Sequence, residues 1–183
     1  PEEWLRHIRG VRRASHRHHV VVHLYLGERR RGVFEDCVYK VVGQEFPLQV
    51  YSIDMSRQRR WDASQPYVYD FMMEAMEEGL VDELLSGPPC STWSRARWRR
   101  AIGGAPPVRG RSSFPWGFPG LRPSDQRQVT VANNCLTAAL SASEAVASRG
   151  GVYVMEHPAD PGSEPYASIW VTAEVMEMEK RLG

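Results

Sequence analysis

Cys90 closes the segment Ser86-Gly87-Pro88-Pro89-Cys90, which follows a short apolar run of strand type at 81–85. The two prolines remove two backbone donors and fix φ, so the thiol is held at a defined angle. A thiol at a strand end, in a rigid turn and near arginines, is expected to have a lowered pKa and to be nucleophilic. Acids follow other strand-like runs: Asp54 after 49–53, Asp62 after a short extended piece, and Glu156 after 151–155. Gly27 closes the β-branched run 20–26. Ligands of open α/β sheets bind beyond the carboxyl ends of the strands, so one glycine, three carboxylates and a thiol are expected at one edge. Asp54 could accept the hydroxyls of a ribose or cap the segment 56–60. Asp62 could accept from an adenine amino group or serve a turn. Gly27 permits a close backbone approach, although the residues after it do not form a GxGxxG pattern. Cys37 and Cys135 read as small buried hydrophobes.

The elements that must position these groups alternate between strand and helix. Helical spacing runs over 32–46, with Val33, Cys37, Val38, Val41 and Val42 on one stripe, and over 67–80, with Phe71, Met72, Ala75 and Met76 facing inward. Further helices are expected at 129–148 and 171–181. Strands separated by helices imply βαβ units, hence an α/β Rossmann-like fold with a mostly parallel sheet and helices on both faces. The expected organisation is a basic lead-in at 1–19, with a short helix around Trp4 to Ile8, and a single domain at 20–183. Residues 91–127, rich in Arg, Pro and Gly, have no clear period and form a long loop, functional or disordered. The aromatics of 114–120 suggest a lid or an interaction surface. The chain starts at Pro1 and stops just after a helix-like run, as a piece of a longer protein would.

Composition bounds the functions. The chain has 183 residues, 42% hydrophobic and 25% charged, with no apolar run long enough to span a bilayer and no signal-peptide core. Three cysteines without close pairing point to reduced thiols inside a cell. Residues 95–127 carry eight arginines, among them Arg95, Arg97, Arg99, Arg109 and Arg111, against one acid, Asp125. Such a patch suits a polyanion, since arginine grips phosphate through two donors at once. A codon-biased genome would also explain why arginine so outnumbers lysine. His16, His18 and His19 lie without cysteines or acids nearby, so no metal site is expected.

The run Ser86-Gly87-Pro88-Pro89-Cys90-Ser91-Thr92-Trp93-Ser94 resembles the nucleophile motif of cytosine carbon-5 methyltransferases, a GPPCQxFS pattern. Glu156-His157-Pro158 is similar to that family's Glu-Asn-Val motif, and Asp54, Asp62 and the run ending at Gly27 fall where the family places its cofactor motifs. The resemblance implies a methyltransferase fold binding S-adenosylmethionine through Gly27, Asp54, Asp62 and Pro88. It implies Cys90 as the nucleophile toward carbon 6 of cytosine and Glu156 as the carboxylate on the ring's N3 and amino edge. It also implies a nucleic-acid partner, DNA rather than RNA, whose target base leaves the stack, with arginines 95, 97, 99, 109 and 111 on phosphates. The resemblance would place the chain in the nucleus if eukaryotic and in the cytoplasm if bacterial. Of the family's glycine-rich first motif only one glycine stands here, and its Gln-x-Arg-x-Arg motif and target-recognition region have no match before Gly183, so another domain or chain is expected to supply the target-recognition region. Two alternatives follow. One is a degenerate, noncatalytic module of a larger, mobile-element-like polyprotein; the other is an enzyme of the same fold with another substrate.

Overall fold

The computed structural model describes residues 2–14, 18–25, 27, 33–42, 46–57, 59–62, 65–99 and 104–182. Residues 15–17, with His16 and Arg17 of the basic lead-in, and 28–32 of the loop after Gly27 lie outside them. The described chain forms two compact units, Pro1–Gly87 with Ser141–Met155, and Pro88–Leu140 with Glu156–Gly183.

The first unit is a parallel α/β sheet. Its strands are β1 (His19–Leu24), β2 (Leu48–Ile53), β3 (Glu83–Ser86) and β4 (Val152–Met155), in the order β2-β1-β3-β4 with every pairing parallel. The apolar run in β1 matches its interior place: Val20, Val21, Val22 and Leu24 are all buried, as a strand covered on both faces requires. Helices α1 (Glu2–Ala14), α2 (Phe34–Val42) and α3 (Pro66–Glu77) complete this unit with the end of α4 (Pro123–Ser148). Trp4, Leu5 and Ile8 of α1, Val68, Met72, Ala75 and Met76 of α3, and Ala142 and Val146 of α4 join Val20, Val22 and Leu24 in one core cluster. The segment 1–19 thus supplies core side chains as well as charge. Arg9 bonds Glu74 (2.6 Å) and also Glu78, which fixes α1 along α3.

Two elements around β2 differ from the sequence expectation in kind or in burial. The extended piece before Asp62 is a 3-10 turn, Arg59–Trp61, whose Trp61 packs edge-on against Trp4 at 5.9 Å. Helix α2 exists, but its valine stripe is not buried: none of its described residues is fully buried, and Val41 is 86% exposed. Cys37, expected inside, is exposed. The reason is that α2 meets an edge strand. Its Tyr39 hydroxyl accepts from the Val50 N–H of β2 (3.1 Å), so the helix covers unpaired backbone at a sheet edge instead of sheltering beneath the sheet.

The second unit holds the Arg/Pro/Gly-rich stretch, and its described part is a folded core. It contains a 3-10 turn at Arg95–Trp98, the first part of α4, another at Ile169–Val171, and α5 (Ala173–Leu182). Helix α4 begins earlier than its apolar spacing suggests. Pro123 stands at its start, and Arg122 pairs with the buried Asp125 in its first turn at 2.7 Å. Val108, Val129, Leu136, Ile169, Val175 and Met178 pack inside this unit.

Candidate functional site

The four strands end level. Leu24 pairs with both Ile53 and Ser86, and Ser86 pairs with Met155, so one row crosses the sheet at its carboxyl end. The residues that follow this row include Asp54 after β2, Gly87 after β3 and Glu156 after β4.

In the first unit, Gly27 and Asp54 are bound to one another. The Gly27 N–H donates to Asp54 Oδ2 at 2.7 Å, and Gly27 has φ +72°, a backbone state that suits glycine. Asp54 Oδ1 accepts from the Ser56 N–H (2.6 Å) and from its hydroxyl (2.5 Å). Of the two roles open to Asp54 in the sequence, the turn-capping one is present. Asp62 is half-buried and its Oδ2 accepts from the Gln65 side chain at 3.2 Å. Met55, Ser56, Arg57, Arg59 and Asp62 line an open groove of about 710 Å³.

Beside Gly27 lies a polar cluster that sequence reasoning missed. Arg57 pairs with Glu35 at 2.5 Å and donates from Nε to the Gly27 carbonyl at 3.2 Å, while Ser52 donates to Glu35. His23 of β1 sits edge-on to Phe34 at 5.1 Å, and burial lowers its pKa to about 4. Among the described residues, His23 Nδ1, Glu35 Oε2 and Arg57 Nη2 are buried without a hydrogen-bond partner. The only local sequence signal was a histidine inside an otherwise apolar strand.

In the second unit, Cys90 and Glu156 are both exposed. Pro88 is buried, and the Cys90 carbonyl accepts from the Trp93 N–H at 2.9 Å, which closes a tight turn immediately after the thiol. Pro89 and Ser91, either side of Cys90, line a groove of about 460 Å³ with Arg127, Gln128 and Val131 of α4.

The five arginines expected on phosphates divide. Arg95 and Arg99 are exposed. Arg97 donates to the Ser91 and Pro106 carbonyls and to Gln128 at 2.7 Å, and Arg111 forms a two-pronged pair with Asp160, one arm at 2.8 Å. Arg109 is 1% exposed, so its surface role as a phosphate contact is not available in this conformation. Its guanidinium lies 3.8 Å over the Trp93 ring and donates to the Pro115 carbonyl (3.0 Å), Asn133 Oδ1 (2.9 Å) and Thr92 Oγ1 (2.8 Å). Burial, and then Arg97, pull its pKa down to about 9, which leaves it a cation at neutral pH. Asn133 also donates to the Trp116 carbonyl, so this one arginine and one asparagine organise the Gly/Pro/Trp stretch from within.

Next to Glu156, His157 turns inward. It is 9% exposed and stands edge-on between Trp93 (6.2 Å) and Trp170 (6.4 Å). Burial, with Arg109 nearby, lowers its pKa to about 4, so it is neutral at pH 7. Trp93, Ser94, Arg95, His157, Pro158 and Asp160 help to line a cavity of about 340 Å³. No group of three or more potential metal ligands occurs among the described residues, and no described helix is long and apolar enough to cross a membrane.

No protein-family model matches this chain, and no curated protein or solved structure matches it either.

Proposed function

We propose that this chain methylates carbon 5 of cytosine in nucleic acid, DNA rather than RNA, through Cys90. The observation that carries the proposal is the placement of two exposed groups of the second unit: Cys90 in the tight turn after β3 and Glu156 directly after β4, strands whose last residues, Ser86 and Met155, are register partners. A thiol and a carboxylate on adjacent strand ends are the pair that nucleophilic addition to a pyrimidine requires. The Cys90 thiolate would add to carbon 6, and Glu156 would hold the N3 and amino edge of the ring as charge moves onto it. S-adenosylmethionine supplies the methyl group. Loss of the carbon-5 proton to a base then expels the Cys90 thiolate and restores the ring. The groove beside Cys90, with Arg127 on its wall, suits an extruded nucleotide with its phosphate.

The cofactor's place in this proposal is the Gly27, Asp54 and Asp62 edge of the first unit. The open groove with Met55 and Asp62 on its walls fits an adenosine, and the unpartnered Glu35 and Arg57 atoms fit the ammonium and carboxylate of an amino acid. A second reading, a noncatalytic module of a larger protein, is favoured by one observation: both Asp54 oxygens already accept bonds from Gly27 and Ser56. Covalent trapping separates the two. With S-adenosylmethionine and 5-fluorocytosine DNA, the enzyme reading predicts an adduct stable to denaturation that is lost in Cys90→Ser. Glu156→Gln should slow its formation about 100-fold or more, the usual scale of a positioned acid–base group. A well-folded chain that forms no adduct and gives no heat of S-adenosylmethionine binding would establish the noncatalytic reading.

A further inference from the structure

The three residues after Cys90 are each held by an arginine. Arg109 donates to Thr92 Oγ1 at 2.8 Å and lies over the Trp93 ring. Arg97 donates from Nε to the Ser91 carbonyl at 2.8 Å. The turn is closed on Cys90 itself by the Trp93 N–H, which donates to the Cys90 carbonyl at 2.9 Å.

Arg97 makes more bonds than that turn alone requires. Its guanidinium also donates to the Pro106 carbonyl (3.1 Å) and to Gln128 Oε1 (2.7 Å). Pro89 and Ser91 of the turn and Gln128 of α4 line the groove of about 460 Å³ beside Cys90. Arg97 therefore ties together the two elements that form this groove. Its own place is fixed locally: Ser94 Oγ accepts from the Ala96 N–H (3.1 Å), and the Ser94 carbonyl accepts from the Arg97 N–H (3.1 Å).

The three acceptors of Arg97 carry no charge, so the tie does not depend on an ion pair. Charge in fact opposes the placement, since Arg97 is close enough to the buried Arg109 to help lower its pKa. What the position uses is the planar fork, whose donors point in fixed, divergent directions. A lysine ammonium, a compact charge on a flexible stem, does not reproduce that geometry.

We propose that Arg97 is a positioning residue for Cys90: it fixes the nucleophile turn against α4 and so holds the thiol in place relative to a base bound in the groove. The catalytic consequence rests on the reading of Cys90 as the nucleophile, whereas the tie itself does not. The role differs from the phosphate contact that the arginine-rich sequence suggests. A phosphate contact needs the charge of Arg97, and a tie needs its fork.

Two readouts of the full chain test this, one without catalysis and one with it. Hydrogen exchange at the Trp93 amide should speed up at least tenfold (about 1.4 kcal/mol) in Arg97→Lys and in Gln128→Ala, beyond any change in the urea midpoint. With 5-fluorocytosine DNA and S-adenosylmethionine, both variants should form the Cys90 adduct about 10- to 100-fold more slowly. Their DNA affinity should be unchanged. Combining the two substitutions should add little to either alone, because both break one tie. Trp93 exchange at the wild-type rate, or an adduct formed at the wild-type rate by either variant, would overturn the proposal. So would a loss in Arg97→Gln that appears only in DNA affinity and is repaired in Arg97→Lys, the mark of a phosphate contact. A wild-type chain that forms no adduct would sink the reading of Cys90, and the exchange rates would still decide whether Arg97 holds the turn. Gln128 is exposed, so its variant decides the matter should Arg97→Lys fail to fold.

Discussion

Arg109 and His157 are the residues whose roles the structure changes most. Arg109 belongs to an arginine-rich stretch that suits phosphate contacts, yet three hydrogen bonds and the Trp93 ring hold it inside the second unit. Lysine cannot reproduce that planar fork, so Arg109→Lys should destabilise the chain by about 2–4 kcal/mol, measured by urea unfolding. His157 gives a pH signature together with His23, whose pKa burial also lowers to about 4. The unfolded chain takes up these protons near pH 6.5 and the folded chain only near pH 4, so stability should fall as the pH drops between those values. The loss is on the order of 3 kcal/mol per histidine at full extent. His157→Phe should remove its share of that slope, and at pH 7 it should be neutral or stabilising because an unpaired polar ring is replaced by an apolar one. Urea midpoints at pH 7 and pH 5 read both effects. Cys90 and Glu156 were legible as residues because their neighbours mark strand ends. His157 was not, because nothing in one sequence says which way a side chain after a strand will turn.

At the scale of elements, periodicity located helices and strands well where one face is covered and poorly at edges. The apolar run of β1 and the spacing of α3 are consistent with core positions, and both elements are buried as expected. The valine stripe of α2 has the same pattern but lies against an edge, where Tyr39 reaches backbone, Val38 is only half-buried and Val41 and Val42 stay in solvent. Helix α1 runs beyond the short helix expected around Trp4 to Ile8, and its inward face is core. Trp4→Ala should therefore cost about 3–5 kcal/mol in unfolding free energy, the range of a large core truncation. In the second unit, Gly117 has φ +127°, and a Cβ there would stand 2.7 Å from Val129 Cγ1. Gly117→Ala should lower thermal stability by about 1–3 kcal/mol through backbone strain and that overlap. The surrounding stretch lacks a period because its order comes from single bonds to Arg109 and Asn133, which pattern analysis does not see.

For the whole molecule, the arginine excess is a smaller free charge than the sequence suggests. Arg111 is neutralised by Asp160 and Arg122 by Asp125, Arg109 is buried and Arg97 is held by neutral acceptors, while Arg95 and Arg99 remain exposed. If DNA is the partner, Arg95→Gln and Arg99→Gln should each reduce the slope of log affinity against log salt by about 0.9, while Arg111→Gln should leave it nearly unchanged. Fluorescence anisotropy across a salt series measures this. The sequence by itself determined the α/β class, the parallel sheet and the placement of Gly27, Asp54, Cys90 and Glu156 beyond strand ends, because apolar runs and turn residues are local properties of the chain. Tertiary structure alone decided the strand order, the exposure of α2, the internal use of Asp54 on Gly27, the burial of Arg109 and the inward turn of His157. Each of these depends on contacts between residues far apart in sequence, and one chain's local pattern does not encode which distant group will satisfy a given donor or cover a given face.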